Sequence, residues 1–403
     1  MRALVLSDTH FGAWTGDALL RHEHHLARLA PQLDDVDELI FLGDLFDFLF
    51  GTVEEAFAAA DGLFALLREK LQGKRFVFLA GNHDHHLVTR EAEDLLELRI
   101  ATGLPADQLV GELERRRFFR RFLERRLDGV EVDIRYPAYT FGDVLLTHGH
   151  YLDPHARASG PVGSRLLTRA LWSIAAGGPE EPRTVEDYES MITLLTELLF
   201  TIAQLPHGTA AQRAVQHAAQ RVGNAAGVVT GPIDAARRLA RRGGPSSAPG
   251  GGPPAAGRDG LPDTSRAYER ARTEAGAGPD PSAAAGAAAA GHQLGRVVRA
   301  SDPIDRSLEA FARVVENLGW ARETDKIVFA HTHQPLADGS ARTGPRVRYW
   351  NTGSWIYEPD LSSHDAYRRY LRYGWPGTAV LIDTEEPEPR LLELLRDENP
   401  LKA

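Results

Sequence analysis

Short apolar runs that stop abruptly at charged or imidazole side chains recur along this chain. Ala3-Leu4-Val5-Leu6 runs into Ser7-Asp8-Thr9-His10, and Leu39-Ile40-Phe41-Leu42 into Gly43-Asp44-Leu45-Phe46-Asp47. Phe76-Val77-Phe78-Leu79-Ala80 runs into Gly81-Asn82-His83-Asp84. Runs this short, bounded by Gly and polar groups, predict buried strands. Between them the apolar spacing is helical, over roughly 19–29 and over 53–71, where Phe57, Leu63, Leu67 and Leu71 fall on or near one face. Strand and helix in alternation predict an α/β layered domain.

The pattern continues with a basic, aromatic helix over 107–127, in which arginines including Arg117, Arg120 and Arg121 interleave with Phe118, Phe119, Phe122 and Leu123. Two readings stand: a solvated helix whose Arg stems cover apolar surface, or a surface for phosphate groups or anionic lipid. Strands follow over 130–136, 138–141 and 144–147, the last two as a hairpin turning at Gly142-Asp143. The third ends in His148-Gly149-His150.

Past Asp153 the character changes. Helices are predicted over 164–175 and 184–203, the second with Tyr188, Met191, Ile192, Leu195, Leu198, Leu199 and Ile202 at helical spacing. Thr184 and Asp187 suit a capping box at its start. Leu194 and Phe200 widen its apolar face, which fits burial against other helices, a greasy substrate pocket or a membrane contact. Ala-rich helical patterns run on to about 222 and over 232–242.

From 243 to 291 Gly, Pro, Ala and Ser dominate. That composition cannot bury enough surface to offset its ordering entropy, so a flexible linker is expected, with no more than a transient helical turn at Tyr268. Order is expected to resume with Asp302 as N-cap and Pro303 opening a helix whose one face carries Leu308, Phe311, Ala312, Val315 and Leu318. A strand over 326–330 ends in His331-Thr332-His333, and another over 347–350 leads into Asn351-Thr352-Gly353-Ser354. Strands over 378–382 and 390–395 close the chain. The division this implies is a discontinuous catalytic domain, 1–154 and 301–403, a helical insertion or cap, 155–242, and a linker, 243–300.

Composition narrows the chemistry. The 403 residues carry a formal charge of -10, which argues against a general nucleic-acid binder. With no cysteine, disulfides and thiolate metal sites are excluded, leaving His, Asp, Glu and Asn as ligands for harder or borderline divalent ions. The opening residues form no signal-peptide core and no long apolar span occurs, so a cytoplasmic protein is expected, with peripheral membrane contact left open.

Each strand-end cluster has a bland reading alone, such as a capped turn or a polar surface. Together, Asp8 and His10, Asp44 and Asp47, Asn82, His83 and Asp84, His148 and His150, and His331 and His333 would meet at one sheet edge. Carboxylates gathered there are costly unless cations neutralise them. The ordered set D-x-H, G-D-x-x-D, G-N-H-D, H-G-H and H-T-H resembles the calcineurin-like metallophosphoesterase superfamily over residues 1–153 and 326–383. That resemblance implies two mixed sheets packed as a sandwich with flanking helices, and two divalent metal ions at the strand ends. Manganese is the first choice, with iron, zinc or nickel as alternatives. It implies Asp8, His10 and His333 on one ion, Asn82, His148 and His331 on the other, and Asp44 bridging. His83 would face the phosphate and Asp84 would orient it. Asp47 would support the first ion or cap its turn, His150 would face substrate, and Asn351 would lie near the site.

The implied reaction is direct hydrolysis of a phosphomonoester, phosphodiester or pyrophosphate by water activated between the ions, which lie ~3.5–4 Å apart in such sites. The second motif and the insertion resemble the UDP-2,3-diacylglucosamine hydrolase branch, which acts on a lipid-linked pyrophosphate. His83 departs from that branch, which generally has Arg there, and Ala330 stands where the last motif usually has Gly. A nuclease, a protein phosphatase or a non-catalytic scaffold are the other classes, and the complete ligand set argues against the last.

Overall fold

The computed structural model describes residues 1–13, 16–87, 118–156, 181–204, 264–276, 304–361 and 363–402. Two mixed sheets carry the architecture. The first is six-stranded, in the order β13-β12-β1-β3-β4-β5. Its strands are β1 (Arg2–Leu6), β3 (Glu38–Leu42), β4 (Arg75–Leu79), β5 (Glu131–Arg135), β12 (Thr378–Asp383) and β13 (Arg390–Glu393). The second is five-stranded, in the order β6-β7-β8-β10-β9. It comprises β6 (Ala138–Phe141), β7 (Val144–Thr147), β8 (Lys326–Phe329), β9 (Leu336–Gly339) and β10 (Arg348–Asn351). A two-stranded ladder of β2 (Asp17–Ala18) and β11 (Ile356–Tyr357) completes the set.

The strand sequences explain the layering. Side chains alternate across a strand, so a strand apolar at every position needs cover on both faces. Ala3, Val5, Ile40, Leu42, Val77 and Leu79 meet Val144, Leu146, Val328 and Trp350 between the sheets. The alternate residues Leu4, Leu6, Leu39, Phe41, Phe76 and Phe78 face the other way, with Leu29, Leu63, Leu67 and Leu123 of the covering helices. Outside the second sheet, Ile327, Phe329 and Tyr349 pack on Leu308, Phe311 and Val315 of helix Ile304–Asn317, and on Tyr188 and Ile192. The result is the α/β sandwich with flanking helices that the motif resemblance implied.

Parallel pairing of β1, β3 and β4 in one sheet, and of β7 and β8 in the other, sends the carboxyl ends of these strands to a common edge. That edge holds the motifs.

Several elements differ from expectation. The helix read over 53–71 breaks at Ala60 into Val53–Ala59 and Asp61–Lys70, and a Thr52–Glu55 capping box starts the first piece. The one read over 19–29 divides into a 3-10 turn, Leu19–Arg21, and helix Glu23–Leu29. In the expected linker, Ser265–Gly276 is a three-turn helix. Aromatic contacts hold it: Tyr268 lies against His364 and Tyr367, its hydroxyl donates to Leu361 O at 3.2 Å, and Ala271 is buried. Helix His364–Tyr373, which receives these contacts, and β9 were not anticipated. The helices read over 164–175, 205–222 and 232–242, most of that over 107–117, and the Asp302-Pro303 start lie outside the described residues.

The described part of the basic helix, Phe118–Arg126, turns its apolar face inward. Phe119 and Leu123 are buried, and Phe122 stacks on Phe57 at 4.2 Å between ring centroids. Arg120 donates to Val132 O at 3.1 Å and Arg126 pairs with Asp61, so both arginines have protein partners. Among the described residues, no helix is long and apolar enough to cross a membrane.

Candidate metal centre

Five of the seven candidate ligands sit in the left-handed backbone region: Asp8, His10, Asp44, His331 and His333, with φ between 50° and 68°. Non-Gly residues adopt this region at a cost of ~1–2 kcal/mol each, and such outliers gather at functional sites. The surrounding backbone holds them. The loop after β1 is zipped to the loop after β3 by Asp8 N to Gly43 O, His10 N to Asp44 O and Phe11 N to Leu45 O. Phe48 N donates to His83 O, tying in the turn after β4. Close approach of these turns needs glycine at two points. A Cβ on Gly81 would stand 2.2 Å from Asp44 Oδ1, and one on Gly43 would stand 2.5 Å from Gly81 N.

The side chains thus delivered form two groups that share Asp44. In the first, His10 Nε2 lies 3.1 Å from His333 Nε2 and 3.7 Å from both Asp8 Oδ1 and Asp44 Oδ2. His333 Nε2 is 3.1 Å from Asp8 Oδ1. In the second, His148 Nε2 lies 3.3 Å from Asp44 Oδ2 and 3.2 Å from Asn82 Oδ1. Donor atoms of Asp44, His148 and His331 all lie within 4.8 Å of one another. Apart from the partly open His333, all seven are buried.

Hydrogen bonding behind the rings sets what they offer in front. His10 Nδ1 faces Asp47 Oδ2 at 3.1 Å and His148 Nδ1 faces Leu42 O at 2.6 Å. Both partners can only accept, so each Nδ1 carries the hydrogen and each Nε2 turns a lone pair toward the cluster. His331 Nε2 is held by Asp153 Oδ1 at 2.9 Å, which leaves Nδ1 for the centre. Asp8 Oδ1 is buried without a hydrogen-bond partner. Lone pairs and carboxylate oxygens therefore converge on two points flanking Asp44, and an oxygen and nitrogen donor set of this kind fits two divalent cations.

The imidazoles and carboxylates of the centre shift one another's proton affinity. Burial alone would lower the pKa of His10, but its contacts with Asp47 and Asp8 raise it to about 9. Burial is likewise outweighed at His148, where Asp44 raises the pKa to about 9. Burial pushes the carboxyls of Asp8 and Asp44 up, yet their imidazole neighbours hold both well below the usual range. Asp84 goes the other way, raised to about 7 by burial and the adjacent Asp44.

Asp84 was read as the group orienting His83, but the hydrogen bonds of its carboxylate go elsewhere. Its Oδ1 accepts from Gly81 N at 2.7 Å and its Oδ2 from Leu45 N at 2.9 Å, so it ties the turn after β4 to the loop after β3. The carboxylate beside His83 is Asp47, with Oδ2 at 3.0 Å from Nδ1. Asp47 Oδ2 also faces His10 Nδ1, and its Oδ1 accepts from Leu49 N and Phe50 N. His83 itself is buried, its ring edge-on to that of His10 at 4.6 Å, and its backbone N–H donates to Asp44 Oδ1 at 2.8 Å.

Asn351 braces the His331-Thr332-His333 turn, donating from Nδ2 to Ala330 O at 2.9 Å and Thr332 Oγ1 at 3.1 Å. Ser7 adds a hydroxyl to Asp8 Oδ2 and meets Thr352 Oγ1 at 2.6 Å. Neither Ser7 nor Asp153 stood out in the sequence. Ser7 is one residue from a motif, and Asp153 follows the His148 motif closely, so adjacency was the available signal.

His150 faces a different group. Its Nε2 is 3.4 Å from Tyr136 Oη, in a network with His85 and Glu189. Glu189 Oε2 lies 2.7 Å from His85 Nε2, and its Oε1 accepts from the hydroxyls of Tyr136 and Tyr151. Each carboxylate oxygen already meets a donor, so this cluster needs no ion.

Glu189 belongs to helix Val185–Ala203, started by the expected Thr184–Asp187 box. The helix docks along the rim: Glu197 pairs with His86, Phe200 stacks on that ring, and Gln204 binds Gly51 O and Val53 N. The side chains of Leu194, Leu195, Leu198, Leu199 and Ile202 fall outside the described ones.

Residues 1–184 match the family model for calcineurin-like phosphoesterases. The match supports the superfamily that the five motifs resemble, and with it a metal-dependent phosphoesterase. It spans the phosphoesterase motifs from Asp8 to His150. His331 and His333 lie beyond it, and the pairing of β7 with β8 brings them to the same centre. A search of curated proteins finds no match to the chain.

Proposed function

We propose that this chain hydrolyses a phosphoester at a two-ion centre, with Asp8, His10 and His333 on one side, Asn82, His148 and His331 on the other, and Asp44 between. The observation that carries the reading is the convergence of lone pairs and carboxylate oxygens on both sides of Asp44, with the buried Asp8 Oδ1 unsatisfied. Two bound divalent ions would supply Lewis-acid activation of water and of the phosphoryl oxygens. Manganese is proposed first, since carboxylate, amide and imidazole donors suit it, with iron, zinc or nickel as alternatives.

The chain's own part is placement. Asp47 fixes the tautomer of His10 and stands beside His83, so one carboxylate couples the first ion's ligand to the group proposed to meet the phosphate. His83 is positioned to donate to a phosphoryl or leaving oxygen, a role that needs a proton at the ring nitrogen facing the substrate. Asp153 and Leu42 O aim His331 and His148.

Turnover of bis-p-nitrophenyl phosphate, p-nitrophenyl phosphate and a nucleoside diphosphate ester with added Mn2+ ranks diester, monoester and pyrophosphate. Metal-dependent turnover of at least one is the expected result; none, with metal bound, contradicts the proposal.

A lipid-linked pyrophosphate, as in the UDP-2,3-diacylglucosamine hydrolase branch, is the second reading. The docking of helix Val185–Ala203 along the rim favours it, because a helical cap beside the centre suits an acylated substrate. Against it stands His83. Selective hydrolysis of an acylated over a deacylated nucleoside-diphosphate sugar supports this reading, and equal rates count against it.

A further inference from the structure

Away from the centre, helix Glu23–Leu29 carries His24 and His25 side by side, and the 3-10 turn Arg396–Glu398 brings Glu398 against them. One donor atom from each of the three lies within 4.8 Å of the others. The clue is the way His25 is held.

Its ring is buried, and Nδ1 lies 3.0 Å from the carbonyl oxygen of Leu19. A carbonyl can only accept, so Nδ1 carries the hydrogen and the lone pair is at Nε2. That nitrogen faces Glu398 Oε2 at 3.3 Å, which as a carboxylate also accepts. Two acceptors confront each other, and a positive centre has to lie between them. A proton on Nε2 would serve this pair, but it gives no part to His24. The ring of His24 packs 3.8 Å from that of His25, tilted by 44°, bringing a second imidazole nitrogen to the same place. One divalent ion would satisfy both imidazoles and the carboxylate together.

We infer a separate divalent-cation site formed by His24, His25 and Glu398. Two imidazoles and a carboxylate are a set that zinc, nickel or copper takes, with water in the remaining position. His22 stands nearby, but its Nε2 is engaged by both oxygens of Asp17 at 2.9 Å. The His85, His150 and Glu189 group shows the contrast, because there tyrosine hydroxyls meet the carboxylate.

The ion would tie the amino-terminal helix to the end of the chain. One turn further along the same helix, Arg28 already bonds Leu394 O at 2.9 Å and Asp397. Binding to the folded state alone raises stability by mass action, so the site acts as a clip on the carboxyl-terminal segment.

The test is equilibrium dialysis of the full chain against micromolar Zn2+, followed by elemental counting of ions per chain. The wild type should bind one ion more than a His24→Ala, Glu398→Gln double variant. Zinc should also raise the unfolding temperature of the wild type above that of the variant. Both substituted side chains are exposed, so the fold and the phosphoesterase centre should be unaffected, which circular dichroism and an unchanged count at the Asp44 centre would verify. Equal counts in the two proteins, or a difference seen only at millimolar zinc, overturn the site and leave a protonated His25–Glu398 pair. Because Asp44→Ala removes ions from the other centre alone, failure of the phosphoesterase reading stays distinguishable.

Discussion

At the amino-terminal ends of β3, β4 and β5, Glu38, Arg75 and Glu131 stand in one row across the sheet. Asp133, two residues along β5, completes a set of three carboxylates around one guanidinium. Arg75 lies 3.7 Å from Glu38 and 3.4 Å from Glu131, and it bonds Asp133 directly. At the opposite ends of the same sheet, Asp8, Asp44 and Asp47 are buried as Glu38 and Asp133 are, while Glu131 is exposed, yet among the described residues the cationic partners of these aspartates are imidazoles. One edge carries its own permanent cation. The other is lined by groups whose charge comes and goes with protons, and their nitrogens can take a metal instead. Buried acids alone therefore do not mark a site; buried acids without a fixed cation do.

The sharpest way to break this comparison is to remove one charged group from each edge in turn. Asp44→Ala should cut phosphoester turnover about 10³-fold or more, since the lost interactions are worth several kcal/mol in the transition state. Arg75→Met should leave turnover per folded molecule unchanged. It should instead destabilise the protein by about 2–3 kcal/mol in urea unfolding, less than a fully buried pair because Arg75 is 30 % exposed. If Arg75→Met abolished activity with full stability, the division of labour between the edges would be wrong.

Asp47→Asn should weaken metal affinity by about 10–100-fold, the usual effect of a partner behind a ligating His. It should also displace the pH profile of turnover. Asp84→Asn should lower stability but leave that profile in place, because its bonds go to Gly81, Leu45 and Phe46 rather than to His83. The reverse outcome would restore the sequence reading of Asp84.

The mildest effect is on the ion-free protein. His10 and His148 have folded pKa values raised to about 9, so their contribution to stability is fully present below the unfolded value near 6.5. It is lost as pH rises through about 9. Stability of metal-stripped protein should fall across that window while divalent-ion affinity rises, as protons leave the same nitrogens. Thermal unfolding in a chelator from pH 6 to about 9.5 checks the first half. A flat profile would mean that protons do not stand in for metal.

The strands and the residues gathered at the candidate centre were legible because each motif is local: an apolar run of a few residues ends in the residues it delivers. Pairings between motifs were not. Asp84 adjoins His83 in sequence, but the loop after β3 crosses the turn after β4 and puts Asp47 there instead. Asp153 lies 178 positions from His331, and Glu189 lies 104 from His85. Nothing in a linear pattern ties such residues together. Helix Ser265–Gly276 was hidden by its Gly- and Pro-rich surroundings, since its stability comes from Tyr268 meeting Tyr367 and His364 far along the chain. Adjacent histidines at 24 and 25 carry no periodic signal either, and their chemistry emerges only where Leu19 O and Glu398 bracket the ring.

The most direct test of the two-ion centre is titration of Mn2+ into chelator-stripped protein of the His24→Ala, Glu398→Gln background, following turnover of a phosphoester and bound metal in the same samples. Activity should be absent without metal, rise to a plateau at two ions per chain, and vanish along with ion binding in Asp44→Ala. Turnover without metal, or a plateau unaffected by Asp44→Ala, would contradict the assignment of this sheet edge as the catalytic centre.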